Sequence, residues 1–141
     1  MIFCALFFIN LKPLRINIFM IASTHDGRFH ADEIFALAVL NLFYPDLEIV
    51  RSRDENVYKN ADIIVDVGHV YDPDNLIFDH HQRSFTLKRG SGIPYASFGL
   101  VWKQYGELLC GSSTFMHNLQ TTMDKEDCGL MAVASYRPNE T

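Results

Sequence analysis

The stretch LIFDHH, Leu76 to His81, decides how the chain is read. A strand entering a core carries alternating or uniformly apolar side chains, and Asp-His-His is neither. Two explanations stand open on this stretch alone: a polar turn that happens to hold two imidazoles, or a strand that delivers ligands to a site.

The flanking segments supply the context. INIFMIAST (Ile16–Thr24) is a β-rich apolar run ending in small polar residues, which predicts a buried strand. HDGRFHADE follows as a loop turning at Gly27. ADEIFALAVLNLF (Ala31–Phe43) is rich in Ala and Leu, with acidic residues in its first turn where the helix dipole favours them, and Tyr44-Pro45 ends it. LEIV (Leu47–Val50) predicts a second strand, DENVYKN a helical turn, DIIVDVG (Asp62–Gly68) a third strand, YDPDN a turn and LIFDHH a fourth strand. After a polar loop containing Gly90, Gly92 and Pro94, YASFGLVWKQYGELL (Tyr95–Leu109) predicts a second long helix, because Phe98, Val101, Trp102, Tyr105 and Leu108/Leu109 recur at helical spacings. GSS breaks it, and TFMHNLQTTMDKED predicts a third helix. Alternating strands and helices give an α/β fold, a mostly parallel sheet flanked by helices.

On this map the polar residues collect at strand ends. His25, His30 and Asp32 follow the first strand, Asp66 ends the third, and Asp79, His80 and His81 end the fourth. Open parallel sheets bind ligands outside the carboxyl ends of their strands. The strand therefore delivers ligands. Imidazole with carboxylate suits Mn²⁺, Co²⁺, Fe²⁺ or Zn²⁺, whereas Mg²⁺ prefers oxygen and water. Asp66, isolated between Val65 and Val67 at a central strand end, is the expected bridge between two ions. His69 and His117 lie outside the cluster and are read as structural.

Composition narrows the function. The 141 residues, 48% hydrophobic and 21% charged, fit one compact domain. With a net charge of -5 and no long basic block, a nucleic-acid partner requires a local basic patch or bound cations. Cys4, Cys110 and Cys128 form no CxxC pair, which points to a reducing compartment, the cytoplasm or an organelle. MIFCALFFI is too short to span a bilayer. It shares the apolar character of a signal h-region but lacks its charged start and its cleavage pattern. Residues 1–19 are alternatively an extension ahead of a natural start at Met20. Residues 20–141 form the expected metal-binding domain.

THDGRFHADE, DIIVDVG, FDHHQRSF and GIPYASFGLVWKQYG together resemble the melanocyte-proliferating-gene exonuclease family of the DHH phosphoesterase superfamily, from about Ile21 to Gly106. The superfamily's first motif is H-x-x-x-D-x-D. This chain has His25, then His30 and Asp32, with one extra residue and a histidine for the first aspartate, a variation the exonuclease family shares. The resemblance implies that His25, His30 and Asp66 hold one metal, and that Asp32, Asp66, His80 and a later aspartate hold the other. Asp127, in MDKEDCG, takes that last place, where the family has a segment like DAIDNG. His81, with Arg83 nearby, would face the substrate phosphate, and Asp79 would orient an imidazole.

Two departures stand out. His69 replaces the glycine that usually follows DVG, and family members are roughly twice as long, with a second domain that closes over the metals.

The expected activity is hydrolysis of a phosphodiester, in single-stranded RNA or a short oligonucleotide, at a site holding two Mn²⁺ (Mg²⁺, Co²⁺ or Zn²⁺ being substitutes). Arg83, Lys88 and Arg89 are candidates to follow a phosphate backbone. The rival readings are hydrolysis of a small phosphoanhydride or nucleotide, and a metal-binding fragment of impaired activity. No membrane partner is expected.

Overall fold

The computed structural model describes residues 19–110. The predicted third helix, His117 and Asp127 lie outside them. Five strands form one sheet in the order β2-β1-β3-β5-β4. They are β1 (Met20–Thr24), β2 (Leu47–Arg51), β3 (Ile63–Val65), β4 (Tyr71–Asp72) and β5 (Ile77–Phe78). β1 pairs in parallel with β2 and β3, and β3 with β5; β4 runs antiparallel to β5. The helices are α1 (Ala31–Phe43), the single turn α2 (Glu55–Tyr58) and α3 (Ser97–Cys110), with a 3-10 turn at Pro73–Asn75. The mostly parallel α/β architecture expected from the alternating pattern is present.

α1 starts and stops where its sequence says it should. Glu33 accepts a hydrogen bond at 2.7 Å from the His30 amide, closing the first turn, and the chain leaves the helix before Pro45. Ala36, Leu37, Val39 and Leu40 turn inward and join Ala22, Ile63, Val65 and Phe78 of the sheet, with Phe98, Leu100, Val101 and Tyr105 of α3, in one core. The Tyr105 ring lies 4.8 Å from that of Phe43 at a tilt of 47°, and its hydroxyl shares a hydrogen bond with Tyr44 at 3.2 Å. Burial and that bond push its phenol well above the ordinary range, so it stays protonated.

Three boundaries fall short of the pattern in the sequence, each for a local reason. β3 ends at Val65 because Asp66 adopts φ +57° and Gly68 φ +99°, both left-handed, which turns the chain out of the sheet. β5 ends at Phe78 because the Asp79 carboxylate gathers the amides that would have continued it. α3 starts at Ser97, because Asp32 accepts from the Ser97 and Phe98 amides at 2.9 and 2.7 Å and so caps the helix. One element is an addition. YDPDN contains β4 as well as a turn; two residues leave no periodicity to read, and pairing with β5 makes the strand.

The topology locates a cleft. From β1 the chain runs through α1 to β2 on one side, then through α2 to β3 on the other. The order therefore reverses between β1 and β3, the position where open α/β sheets bind ligands. His25 follows β1 and Asp66 follows β3.

Packing within α3 generates a prediction. A Cβ on Gly106 would lie 2.4 Å from Cε2 and Nε1 of Trp102, one turn earlier. Gly106→Ala is expected to lower the thermal midpoint, although alanine is favoured in helices by about 1 kcal/mol. In a Trp102→Ala background the same change should raise it. Thermal melts of the four variants decide, and stabilisation by alanine beside an intact Trp102 would contradict this packing.

Candidate metal centre

The loop after β1 brings two imidazoles to the cleft. His25 is buried, and its Nδ1 lies 2.8 Å from the Asp26 carbonyl oxygen. A carbonyl only accepts, so Nδ1 is the donor of that bond and Nε2 is left facing the cleft. That nitrogen faces Asp66 Oδ2 at 3.3 Å and Glu33 Oε1 at 3.5 Å, without hydrogen-bond geometry to either. Both carboxylates are fully buried, and Glu33 Oε2 has no hydrogen-bond partner. Buried acceptors converging in this way are costly unless a cation or a proton lies among them. His30 completes the set: one ligand atom each from His25, His30, Glu33 and Asp66 lies within 4.8 Å of the others.

A second group shares Asp66. Ligand atoms of Asp66, His80 and His81 also lie within 4.8 Å of one another. Asp66 Oδ2 is the oxygen toward His25, while Oδ1 stands 3.4 Å from His81 Nδ1 and accepts from Ser97 Oγ at 3.0 Å. One carboxylate thus faces both groups with different oxygens. Its backbone holds φ +57°, an uncommon conformation that aspartate tolerates better than most residues, while its amide donates to the Phe78 carbonyl at 3.0 Å. Strained backbone of this kind concentrates at functional sites.

Beneath the second group, Asp79 is wholly buried and acts as an organiser. Its Oδ1 accepts from the His80 amide (2.7 Å), the His81 amide (3.2 Å) and His81 Nδ1 (2.7 Å), and Oδ2 accepts from the His69 amide (2.7 Å). The two histidine rings stack at 4.2 Å. Burial acts to raise the Asp79 carboxyl. The hydrogen bonds from the His81 ring and the His69 amide, the charge of His81 and the His81 amide outweigh it and hold the group below its ordinary 3.8. His69 sits at φ +56°, the left-handed region that glycine enters without cost, and its ring meets His81 edge-on at 6.2 Å.

The expected ligands divide as follows. His25, His30 and Asp66 come together, as do Asp66, His80 and His81. Asp32 stands in neither group; its carboxylate is engaged at the start of α3. Glu33, one residue on, takes the place beside His25. The reading from sequence missed Glu33 and Ser97. The signal for Glu33 was its place three residues after His30, the capping-box position; Ser97 carried none. Arg83 is exposed on the turn closed by the Phe85 amide on the Gln82 carbonyl. Arg89, by contrast, is buried with its guanidinium 4.4 Å over the Tyr95 ring, so it is not displayed to solvent.

The chain is similar to a family of known proteins. The model of an uncharacterised protein family, UPF0160, named for MYG1 exonucleases, matches residues 21–137. MYG1 exonuclease of Homo sapiens is 46% identical over 95 residues, covering 61% of this chain and 25% of that protein. The MYG1 protein of Chlamydia pneumoniae is 39% identical over 112 residues, covering 75% of this chain and 37% of its own length. MYG1 protein YER156C of Saccharomyces cerevisiae is 39% identical over 105 residues, covering 72% and 30%. The chain spans about a quarter of the length of the first of these relatives. No solved structure matches it. Among the described residues, no helix is long and apolar enough to cross a membrane.

The lowered Asp79 carboxyl predicts a pH dependence. A carboxylate whose folded pKa lies below its unfolded value stabilises the fold fully above the unfolded value, and that stability is lost as pH falls through the folded one. With chelator present, Asp79→Asn should cost about 1–3 kcal/mol near neutral pH, since it breaks a buried set of accepted bonds. The difference from wild type should shrink below about pH 4. Urea melts across that range check it, and a gap that widens in acid would contradict the assigned bonds.

Proposed function

The chain belongs to UPF0160, the family of the MYG1 exonucleases, and on that premise we propose that it hydrolyses phosphodiester bonds of single-stranded RNA or short oligonucleotides at a DHH-type site for two divalent cations, Mn²⁺ foremost. The observation that carries the reading is Asp66, the one residue common to both ligand groups, with an oxygen toward each.

His25, His30, Glu33 and Asp66 would hold one ion, and Asp66 and His80 the other, with Asp127 a further ligand from outside the described residues. When bound, the pair of ions supplies charge neutralisation at the phosphoryl group and lowers the pKa of an attacking water. The protein does the rest. Ser97 Oγ fixes the rotation of the Asp66 carboxylate, and Asp79 holds the His81 ring. His81 is the half-exposed member: its Nδ1 is tied to Asp79, so Nε2 is the atom placed to reach a non-bridging phosphate oxygen. Arg83, exposed two residues on, adds positive charge for the neighbouring phosphate.

A second reading is that the residues described here hold cations without efficient turnover.

Two tests follow. Calorimetry with Mn²⁺ should show two bound ions in the wild type, none in Asp66→Ala, and an affinity about 10- to 100-fold weaker in Ser97→Ala. Two ions still bound without the Asp66 carboxylate would remove its bridging role. In the second, a short single-stranded RNA should be cut in a Mn²⁺-stimulated reaction that Asp66→Ala abolishes. An inert chain that nevertheless binds both ions would favour the second reading.

A further inference from the structure

Phe29 is 64% exposed, in the loop between His25 and His30. Large apolar side chains this open to water are usually scattered and carry no meaning. This one differs in two respects. It lies at the mouth of the ligand groups, and it is backed: the Arg51 guanidinium carbon sits 3.7 Å from the centroid of its ring. That guanidinium is itself anchored, with Nη2 donating to the Gly27 carbonyl at 3.0 Å. Arg53 holds the same loop through Asp26 at 3.1 Å. The end of β2 therefore straps the loop at two points. Among the described residues Arg51 has no carboxylate partner, and its Nε is without a hydrogen bond. By comparison Phe35, also exposed, packs on Phe98 at 5.7 Å and serves the fold.

We propose that Phe29, backed by Arg51, is a stacking platform for a nucleobase next to the bond being cut. The proposal rests on the phosphodiesterase reading above and deepens it. The phenyl lies against a cation while the residue stays 64% exposed to solvent. A base has a π-face whatever its identity, so stacking suits an enzyme acting on nucleic acid without reading its sequence. The guanidinium adds a cation–π contribution and holds the ring in place before substrate arrives. A phosphate held at the ligand groups would leave its own nucleoside within reach of the loop between His25 and His30. Arg51 also brings an uncompensated positive charge toward the backbone, at a site otherwise dense in acids.

The test uses the whole chain and a set of short single-stranded oligonucleotides, with phosphorothioate links to block turnover. 2-Aminopurine occupies each position in turn, and a matching set carries an abasic site there. Wild type should quench the fluorophore at one position. Phe29→Ala should remove that quenching and weaken binding about 5- to 100-fold, and Phe29→Trp should restore both. The abasic strand should bind wild type as weakly as the intact strand binds Phe29→Ala. The platform is overturned if Phe29→Ala quenches and binds like wild type, or if the abasic strand binds as tightly as the intact one. It is also overturned if Phe29→Ala weakens intact and abasic strands equally, which would mean that Phe29 shapes the loop or meets a protein segment. A wild type that binds no oligonucleotide sinks the phosphodiesterase reading as well. Binding that ignores Phe29 sinks only the platform.

Discussion

A single buried carboxylate holds the arrangement together. Asp32, in the first turn of α1, accepts from the two leading amides of α3 and is almost wholly shielded from water. Those amides would otherwise be orphaned at a helix start, and the carboxylate would otherwise be a buried charge without partners. Each offsets the other's cost, and charge-assisted bonds of this type are stronger than neutral ones. The geometric effect reaches further. Fixing Ser97 at the first position of α3 places its hydroxyl on Asp66, so the packing of α1 on α3 sets the orientation of the residue shared by both ligand groups.

The same economy runs through the cleft. β1 and β3 are neighbours at the point where the strand order reverses, and each ends in a ligand-type residue. Asp79 turns what would be a continuing strand into a tight turn that presents two adjacent imidazoles. The left-handed residues at Asp66 and His69 bend the chain around the same place. Buried carboxylates converge there with imidazoles, which is why cations are the natural complement of the site.

Much of this was legible in the residues. The α1 limits, the parallel sheet and the convergence of His25, His30 and Asp66 follow from periodicity, from Pro45, and from the rule that ligand-type residues gather at strand ends. The division of labour between Asp32 and Glu33 was not. Adjacent residues on a helix point about 100° apart, and sequence does not say which direction faces a helix still sixty-odd residues away. In this fold Asp32 points at α3 and Glu33 at β1. β4 was illegible for a different reason: two residues carry no pattern, and only a partner strand defines them. Ser97 looked like one small residue in a helix start, its role depending on contact with a distant strand end. Arg89 looked like a surface charge until Tyr95 covered it.

The left-handed backbone at Asp66 limits what can ever replace it. Glycine, asparagine and aspartate enter that region more readily than most residues. Glycine has no donor atoms to offer, and asparagine supplies one oxygen where two directions must be served. At position 66 conformation favours a few residue types, and the need for two oxygens favours one of them. A lineage that gave up the two ligand groups could let the imidazoles drift while still folding. It would be betrayed first by a glycine or an asparagine here, the two residues that keep the bend and discard its purpose.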